Sequence, residues 1–138
     1  MKKAIRFIVM VLAVFSLAAC SKTTMNSIAI SGSWEHTKTE TFVDGSFAGT
    51  WYPTTDGYRV FYNFASDGTF VSTKQALNGS AGTTENGTWL VDGNKLILHY
   101  FDGSDLYNIE HAGLLELTLK YVYNQNGHNY IDYLTFKK

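Results

Sequence analysis

Glycine that directly follows aspartate or asparagine is the feature that most restricts the fold of this chain of 138 residues. Type I′ turns require positive φ at both central positions, and Asn-Gly or Asp-Gly adopts them at the least cost. Eight such dipeptides occur, with Asp-Gly at 44, 56, 67, 92 and 102 and Asn-Gly at 78, 86 and 126. Because these turns match the twist of adjacent antiparallel strands, the spacing predicts strands joined by short turns.

The segments between these dipeptides alternate in polarity and are rich in aromatic and β-branched residues, as in "YRVFYNF", "KLILHYF" and "LLELTLKYVY". In the last segment, one face holds the apolar residues Leu115, Leu117, Leu119, Tyr121 and Tyr123. Such alternation is typical of strands with one buried and one wet face. No segment after the first nineteen residues shows a 3.6-residue period, so we expect no helix longer than one or two turns.

The order of these segments predicts an all-β domain of eight or nine strands in an antiparallel up-and-down meander. An open meander of that size would leave two unpaired edges, and closure into a barrel removes them. At about eight strands, side chains can fill the barrel interior, or the interior can hold one small ligand. A two-sheet β-sandwich is the alternative architecture.

The amino terminus has the composition of an export signal. Lys2, Lys3 and Arg6 precede the uncharged run "FIVMVLAVFSLAA", which is shorter than the roughly 20 apolar residues that span a bilayer. The residues before the one cysteine, Leu17-Ala18-Ala19-Cys20, resemble the bacterial lipobox. That resemblance implies cleavage before Cys20 and acylation of its sulfur. The alternatives are a cysteine in a buried core helix and a catalytic thiol.

Three regions are predicted on this basis. Residues 1–19 are a lipoprotein signal peptide, residues 20–31 are the lipidated cysteine and a tether, and residues 32–138 are the barrel domain. The polar segment "SKTTMNS" lacks an apolar period and is interpreted as the tether. Ser21 stands where aspartate is associated with retention in the inner membrane, and no acidic cluster follows. The expected location is the outer membrane, with the domain facing the periplasm.

The charge of the exported chain excludes one class of partner. Without residues 1–19, 8 Lys and Arg remain against 12 Asp and Glu, which gives a net charge of −4. The lysines are scattered, and no basic patch suitable for nucleic acid is visible. We therefore expect no nucleic-acid binding.

Four short motifs carry a family resemblance. Gly32-Ser33-Trp34, "YNFASDGTF", "NGTWLVDGNKLIL" and the terminal "LTFKK" resemble the small lipocalin-like lipoproteins of Gram-negative bacteria. The resemblance implies a lipocalin-like barrel in which Trp34 closes one end. True lipocalins also place an arginine from a late strand against that tryptophan. Here Arg59 is the one arginine after the signal and comes too early, and Lys137 and Lys138 lie near the end.

The sequence does not predict an enzyme. His36, His99, His111 and His128 fall in separate segments without metal-ligand spacing, and surface or ring-stacked histidines are the expected interpretation. No nucleophile motif is recognisable either. We expect no metal and no cofactor.

Aromatic residues are abundant, with 21 in the chain, of which Phe7 and Phe15 belong to the signal. Core filling explains part of this number. A binding hypothesis assigns a ligand cavity to six of them, namely Trp51, Tyr58, Tyr62, Tyr100, Tyr121 and Tyr123. Two function classes follow: a tethered binding module for a small hydrophobic or glycan-like ligand, or a structural, inhibitory or envelope-protein-binding lipoprotein with a solid barrel.

Overall fold

The computed structural model describes residues 22–138, and nine strands of this region form one antiparallel sheet. The strands are β1 (Gly32–Val43), β2 (Ser46–Trp51), β3 (Tyr58–Phe64), β4 (Thr69–Ala76), β5 (Thr83–Asp92), β6 (Lys95–His99), β7 (Ser104–Ala112), β8 (Glu116–Gln125) and β9 (His128–Lys137). A 3-10 helix, Pro53–Asp56, separates β2 from β3. Helix α1, residues 22–30, precedes β1. The predicted all-β class and strand number are confirmed.

The sheet closes through β1, which pairs along both edges. On one edge β1 pairs with β9 from Glu35 to Val43. On the other edge its first half pairs with β3 and its second half with β2. The remaining strands pair in sequence order up to β9. The result is a closed eight-stranded barrel with β2 as an additional strand, which confirms the predicted barrel rather than the sandwich.

Seven of the eight turn dipeptides lie at the ends of elements or between them, as predicted. Two of them form the complete two-residue connections from β1 to β2 and from β8 to β9. Asp44 and Gly45 have φ of 49° and 82°, and Asn126 and Gly127 have 53° and 81°, as type I′ turns require. Turn chemistry at these two positions therefore sets the register of the strands on either side.

The dipeptide Asn86-Gly87 is the exception, and its assignment to a turn was wrong, because both residues lie inside β5. A Cβ atom on Gly87 would come within 2.0 Å of the His99 carbonyl oxygen and 2.8 Å of Phe70 Cε1. Glycine is present here because the neighbouring backbone approaches closely, which is a second common reason for glycine in a strand.

Helix α1 contradicts the expectation that no helix exceeds one or two turns, because its nine residues make about two and a half turns. It packs on the barrel rather than extending away from it. Asn26 Nδ2 donates to the Gly93 carbonyl oxygen at 2.7 Å, and Thr23 Oγ1 accepts from the Gly93 amide at 3.0 Å. Much of the segment interpreted as a tether is thus part of the folded domain. Within residues 22–138, no helix is long and apolar enough to cross a membrane.

The two ends of the barrel are built differently. At the closed end lie α1 and the β3–β4, β5–β6 and β7–β8 connections; at the open end lie the β1–β2, β4–β5, β6–β7 and β8–β9 connections. The largest buried side chains lie toward the closed end, among them Trp34, Phe64, Phe70, Leu96, Leu98, Leu117, Leu119 and Phe136. Leu115 was expected on this buried face but lies in the β7–β8 connection and is 71% exposed.

Candidate functional site

The open end contains a pocket of about 770 Å³, which we call the mouth pocket. Residues of β3, β5, β6 and β7 and of the β6–β7 connection surround it. They are Tyr62, Thr84, Glu85, Asn86, Tyr100, Phe101, Asp102, Gly103, Ser104, Asp105 and Tyr107. Its volume lies within the range of small-molecule sites. The combination of aromatic rings and carboxylates in one pocket suits a ligand with an apolar body and a polar group.

Three tyrosines form the inner wall of the mouth pocket. The hydroxyls of Tyr100 and Tyr62 share a hydrogen bond, and the Tyr107 hydroxyl donates to Asp105 Oδ2 at 3.4 Å. Burial raises the pKa of all three phenols, and the negative charge of Asp105 raises each pKa further. Glu85 has the same effect on the pKa of Tyr62 and Tyr100. All three hydroxyls therefore remain neutral and can donate or accept hydrogen bonds at physiological pH.

A smaller space of about 300 Å³, the inner recess, shares Tyr62 and Glu85 with the mouth pocket. It reaches across the barrel to β1 and β9, and its lining is His36, Trp51, Tyr58, Val60, Tyr62, Ser72, Lys74, Thr83, Glu85 and Leu134. Lys74 Nζ lies 3.6 Å from the centroid of the Tyr58 ring. Trp51 Nε1 donates to Asp56 Oδ2 at 2.8 Å, which links the ring to the 3-10 helix.

His36 lies at the base of the inner recess and is 8% exposed. Its ring centroid is 5.0 Å from that of Phe136 and 5.8 Å from that of Trp51. The Nε2 atom is 3.0 Å from the Lys38 carbonyl oxygen, and because a carbonyl can only accept, Nε2 carries the proton. Burial lowers the pKa of His36, and the backbone contact opposes that shift only in part. The imidazole is neutral and belongs to the packed interior.

The structure brings four of the six predicted aromatic residues to these two spaces and separates the other two. Trp51 and Tyr58 line the inner recess, Tyr100 lines the mouth pocket, and Tyr62 lines both. Tyr121 and Tyr123 instead belong to a row of rings along β7, β8 and β9. The centroid distances in that row are 5.2 Å from Tyr107 to Tyr121, 5.6 Å from Tyr121 to Tyr123, and 5.0 Å from Tyr123 to Tyr130.

Sequence reasoning missed Glu85, Asp105 and Tyr107 as pocket residues. They lie on β5 and β7, which do not pair with each other but flank β6 on its two sides. A signal was nevertheless available. Asp105 and Tyr107 are two apart on one strand and therefore share a face. The aromatic side chain of Tyr107 indicates that this face points into the barrel. This alternation points to Asp105, whereas no comparable signal marks Glu85 on β5.

The structure places Trp34 at the closed end, where it is 1% exposed. Its Nε1 donates to the Ile30 carbonyl oxygen at 2.6 Å, which ties the end of α1 to the barrel base. Lys138 Nζ lies 4.5 Å from the centroid of a Trp34 ring and 3.3 Å from the Ser31 carbonyl oxygen. A lysine cation thus covers the tryptophan. Arg59 is engaged elsewhere, in a two-point ion pair with Glu35 at 2.6 and 2.7 Å.

Cys20 lies outside the described residues, so its acylation stays a prediction. His99, His111 and His128 are exposed and lie on β6, β7 and β9, respectively. Across residues 22–138, no group of three or more metal-ligating side chains is arranged to hold an ion.

The barrel thus has a closed base, a densely packed lower core and an open pocket at its upper end. A family model described as a lipocalin-like domain matches residues 30–121 of the sequence. The chain belongs to this family, whose members are typically binding proteins. No curated protein matches the sequence.

Several solved structures resemble this one, including the following three. An uncharacterized protein from Bacteroides eggerthii DSM 20697 is 14% identical, with a TM-score of 0.53 over 78% of this chain and 98% of that chain. A deswapped triple mutant of the bovine odorant-binding protein is 13% identical, with a TM-score of 0.46 over 80% and 74% of the two chains. Ex-FABP, a siderocalin that functions through dual ligand specificities, is 7% identical, with a TM-score of 0.47 over 79% and 73%. At 14% identity, the Bacteroides protein supports the barrel fold alone.

Proposed function

We propose that this protein is a membrane-anchored lipoprotein of the outer membrane that faces the periplasm and binds a small hydrophobic molecule at the open end of its barrel. The mouth pocket is the observation that carries the proposal, because it joins tyrosine rings to polar groups in about 770 Å³. Family membership supports a binding role rather than an enzymatic one. The lipobox resemblance around Cys20 supports the anchor.

The lining also suggests which ligand chemistry fits. The rings of Tyr62, Tyr100 and Phe101 offer flat apolar contact to an aliphatic, aromatic or glycan-like body. Glu85 and Asp105 offer carboxylate oxygens, which accept hydrogen bonds from a ligand and repel a ligand carboxylate. The preferred ligand therefore carries a hydrogen-bond donor, such as an amine or hydroxyl, at the end that reaches these acids.

A matched pair of ligands tests this chemistry. Octylamine and octanoate share a similar chain and differ in the charge of the head group. Isothermal titration of the soluble chain that begins at Ser21 should show tighter binding of octylamine, by about tenfold for one additional charge-assisted hydrogen bond. Glu85→Gln should remove much of that preference. Equal affinity for both compounds, or a preference for octanoate, would contradict the assignment.

Native mass spectrometry of the same soluble chain tests binding without a chosen ligand. A copurified small molecule that disappears in a Tyr62→Ala variant supports a ligand site in the pocket, because Tyr62 lines both spaces. The matched control is Tyr123→Ala, which alters a ring of the β8–β9 row outside both linings. Loss of the molecule in both variants would point to general unfolding, and circular dichroism separates that result from specific loss.

A structural, inhibitory or protein-binding lipoprotein with a solid barrel is the second candidate function. The dense packing of Trp34, Phe64 and Leu117 at the closed end favours it. Under that hypothesis Tyr62→Ala would cost several kcal/mol of unfolding free energy, as large-to-small core substitutions do, and would change no ligand uptake. A half-buried residue facing a pocket costs less and changes binding.

The anchor has its own test. Metabolic labelling with an alkyne fatty acid should mark the full chain and leave Cys20→Ser unlabelled, with the variant released from the membrane fraction. Protection of the labelled chain from added protease in intact cells supports the periplasmic orientation. Digestion in intact cells would instead place the domain on the cell surface.

A further inference from the structure

The closed end exposes an apolar surface that the folded domain does not cover. Met25 and Ile28 on α1 are 70% and 71% exposed, and Leu114 and Leu115 in the β7–β8 connection are 86% and 71% exposed. We call these four residues the closed-end patch. Both pairs lie at the base of the barrel. Hydrogen bonds to Gly93 fix α1 there, and Lys138 connects the two parts: its backbone amide donates to the Leu115 carbonyl oxygen, and its Nζ donates to the Ser31 carbonyl oxygen.

The arrangement of α1 explains why these residues face outward. Thr23, Asn26, Ser27 and Ile30 follow the i, i+3, i+4, i+7 spacing of one helical face, and this face is the less exposed one. Asn26 and Thr23 use it to bond Gly93, and Ile30 is fully buried. Apart from Ile30, this face presents polar side chains to the barrel, while Met25 and Ile28 point away from it together with Lys22 and Thr24.

The chain itself indicates what covers this surface. Cys20 precedes the first residue of α1 by two positions, a separation that extended chain spans in about 7 Å. If Cys20 carries the acyl anchor of the proposed function, the lipid headgroups lie within a few ångströms of α1. Lys22 and Lys138 lie at this end, together with Asp67 in the β3–β4 connection, whereas the open-end connections carry Asp44 and Asp102 and neither lysine nor arginine. Lysines beside an apolar face are typical of segments that rest on anionic membranes.

We infer that the closed-end patch seats the barrel on the lipid surface, with Met25, Ile28, Leu114 and Leu115 entering the headgroup region. The closed end of the barrel then faces the membrane, and the mouth pocket faces away from it. This inference rests on the anchor of the proposed function but goes further, because acylation alone would leave the domain free to tumble on its lipid. The hydrogen bonds between α1 and Gly93 fix the helix to the barrel, so that anchoring the helix at the membrane also orients the barrel.

Depth-dependent fluorescence quenching on the full acylated protein tests this contact of the closed-end patch with the lipid, which we call the seat. A nitrobenzoxadiazole label is attached through Ile28→Cys or, separately, Leu114→Cys, and the protein is reconstituted in phosphatidylethanolamine and phosphatidylglycerol vesicles that contain doxyl-labelled phosphatidylcholine. The matched control is Leu77→Cys in the β4–β5 connection, where the native side chain is 54% exposed at the opposite end. We expect quenching at Ile28 and Leu114 to exceed that at Leu77 by at least about twofold, because quenching falls steeply outside the interface.

The outcomes separate the seat from the anchor when intact mass is measured on the same samples. An acylated protein without preferential quenching at Ile28 and Leu114 overturns the seat and leaves the anchor. A blue-shifted label that doxyl lipid does not quench shows a protein partner or a second copy on the patch, and also overturns the seat. A non-acylated protein that is still quenched at both positions overturns the anchor and supports the seat. A non-acylated, unquenched protein overturns both.

Discussion

The closed and open ends of this barrel use aromatic residues for different purposes. At the closed end, Trp34 and Phe64 are at most 2% exposed, and the polar atom of Trp34 is bonded to backbone within the domain. At the open end, Tyr62 and Tyr100 are only half-buried, and their hydroxyls lie beside the carboxylates of a pocket. Residue type alone therefore does not distinguish an aromatic residue of the packed core from one that lines a pocket. What distinguishes them is whether the ring is packed against other side chains or borders an open space.

The energetic contrast between the ends is the largest effect to test. Trp34→Ala should lower the free energy of unfolding by about 3–5 kcal/mol, because it leaves a cavity in dense packing and removes the bond to Ile30. Urea unfolding followed by circular dichroism measures this change. The matched control is Phe101→Ala at the open end, where the ring is fully exposed and the expected change is within about 0.5 kcal/mol. Similar losses at both positions would remove the distinction between a solid base and an open mouth.

The attachment of α1 is the next effect in size. Asn26→Ala removes the bond from Nδ2 to the Gly93 carbonyl oxygen and should cost about 1 kcal/mol. Hydrogen exchange should also accelerate in residues 22–30 while the rates in β8 and β9 stay unchanged. Ser80→Ala in the exposed β4–β5 connection provides a control with no contact to the helix. Unchanged exchange in α1 of the Asn26 variant would show that packing of Ile30 alone holds the helix.

Turn chemistry explains how much of the fold is predictable from the sequence. Asp44-Gly45 and Asn126-Gly127 encode hairpins through local backbone preference, which needs no knowledge of the rest of the molecule. Gly87 has the same dipeptide signature but is set by the nearness of His99 and Phe70, which is a tertiary property. Local signals are reliable where local energies decide the conformation, and they fail where packing decides it.

Helix α1 and the mouth pocket were harder to predict for related reasons. A hydrophobic period reveals a helix only when its inward face is mostly apolar, whereas α1 turns the half-buried Thr23 and Asn26 toward the barrel and exposes Met25 and Ile28. The pocket depends on side chains of β5 and β7, which flank β6 without pairing with each other, and strands that do not pair leave no mutual pattern in the sequence. Aromatic content indicated Tyr62 and Tyr100, which line the pocket, and the strand face shared with Tyr107 points to Asp105, whereas no comparable signal marks Glu85.

The smallest expected effect concerns His36, which lies between the two ends and shows how far the packed interior extends. Its pKa is lowered by burial, so folding disfavours the imidazolium form. The stabilising contribution is therefore complete above the ordinary histidine pKa of about 6.5 and is lost as pH falls through and below that value. In His36→Gln, which retains a hydrogen-bond donor toward the Lys38 carbonyl oxygen, this part of the pH dependence should vanish.

Urea unfolding of wild type, His36→Gln and His111→Gln across the acidic range measures this linkage. The His111 variant is the matched control, because that residue is exposed on β7. We expect the midpoint of wild type and of the His111 variant to fall more steeply with decreasing pH than that of the His36 variant. An equal slope in all three would mean that water reaches His36 through the inner recess, and the boundary between solid core and open site would then lie nearer the closed end.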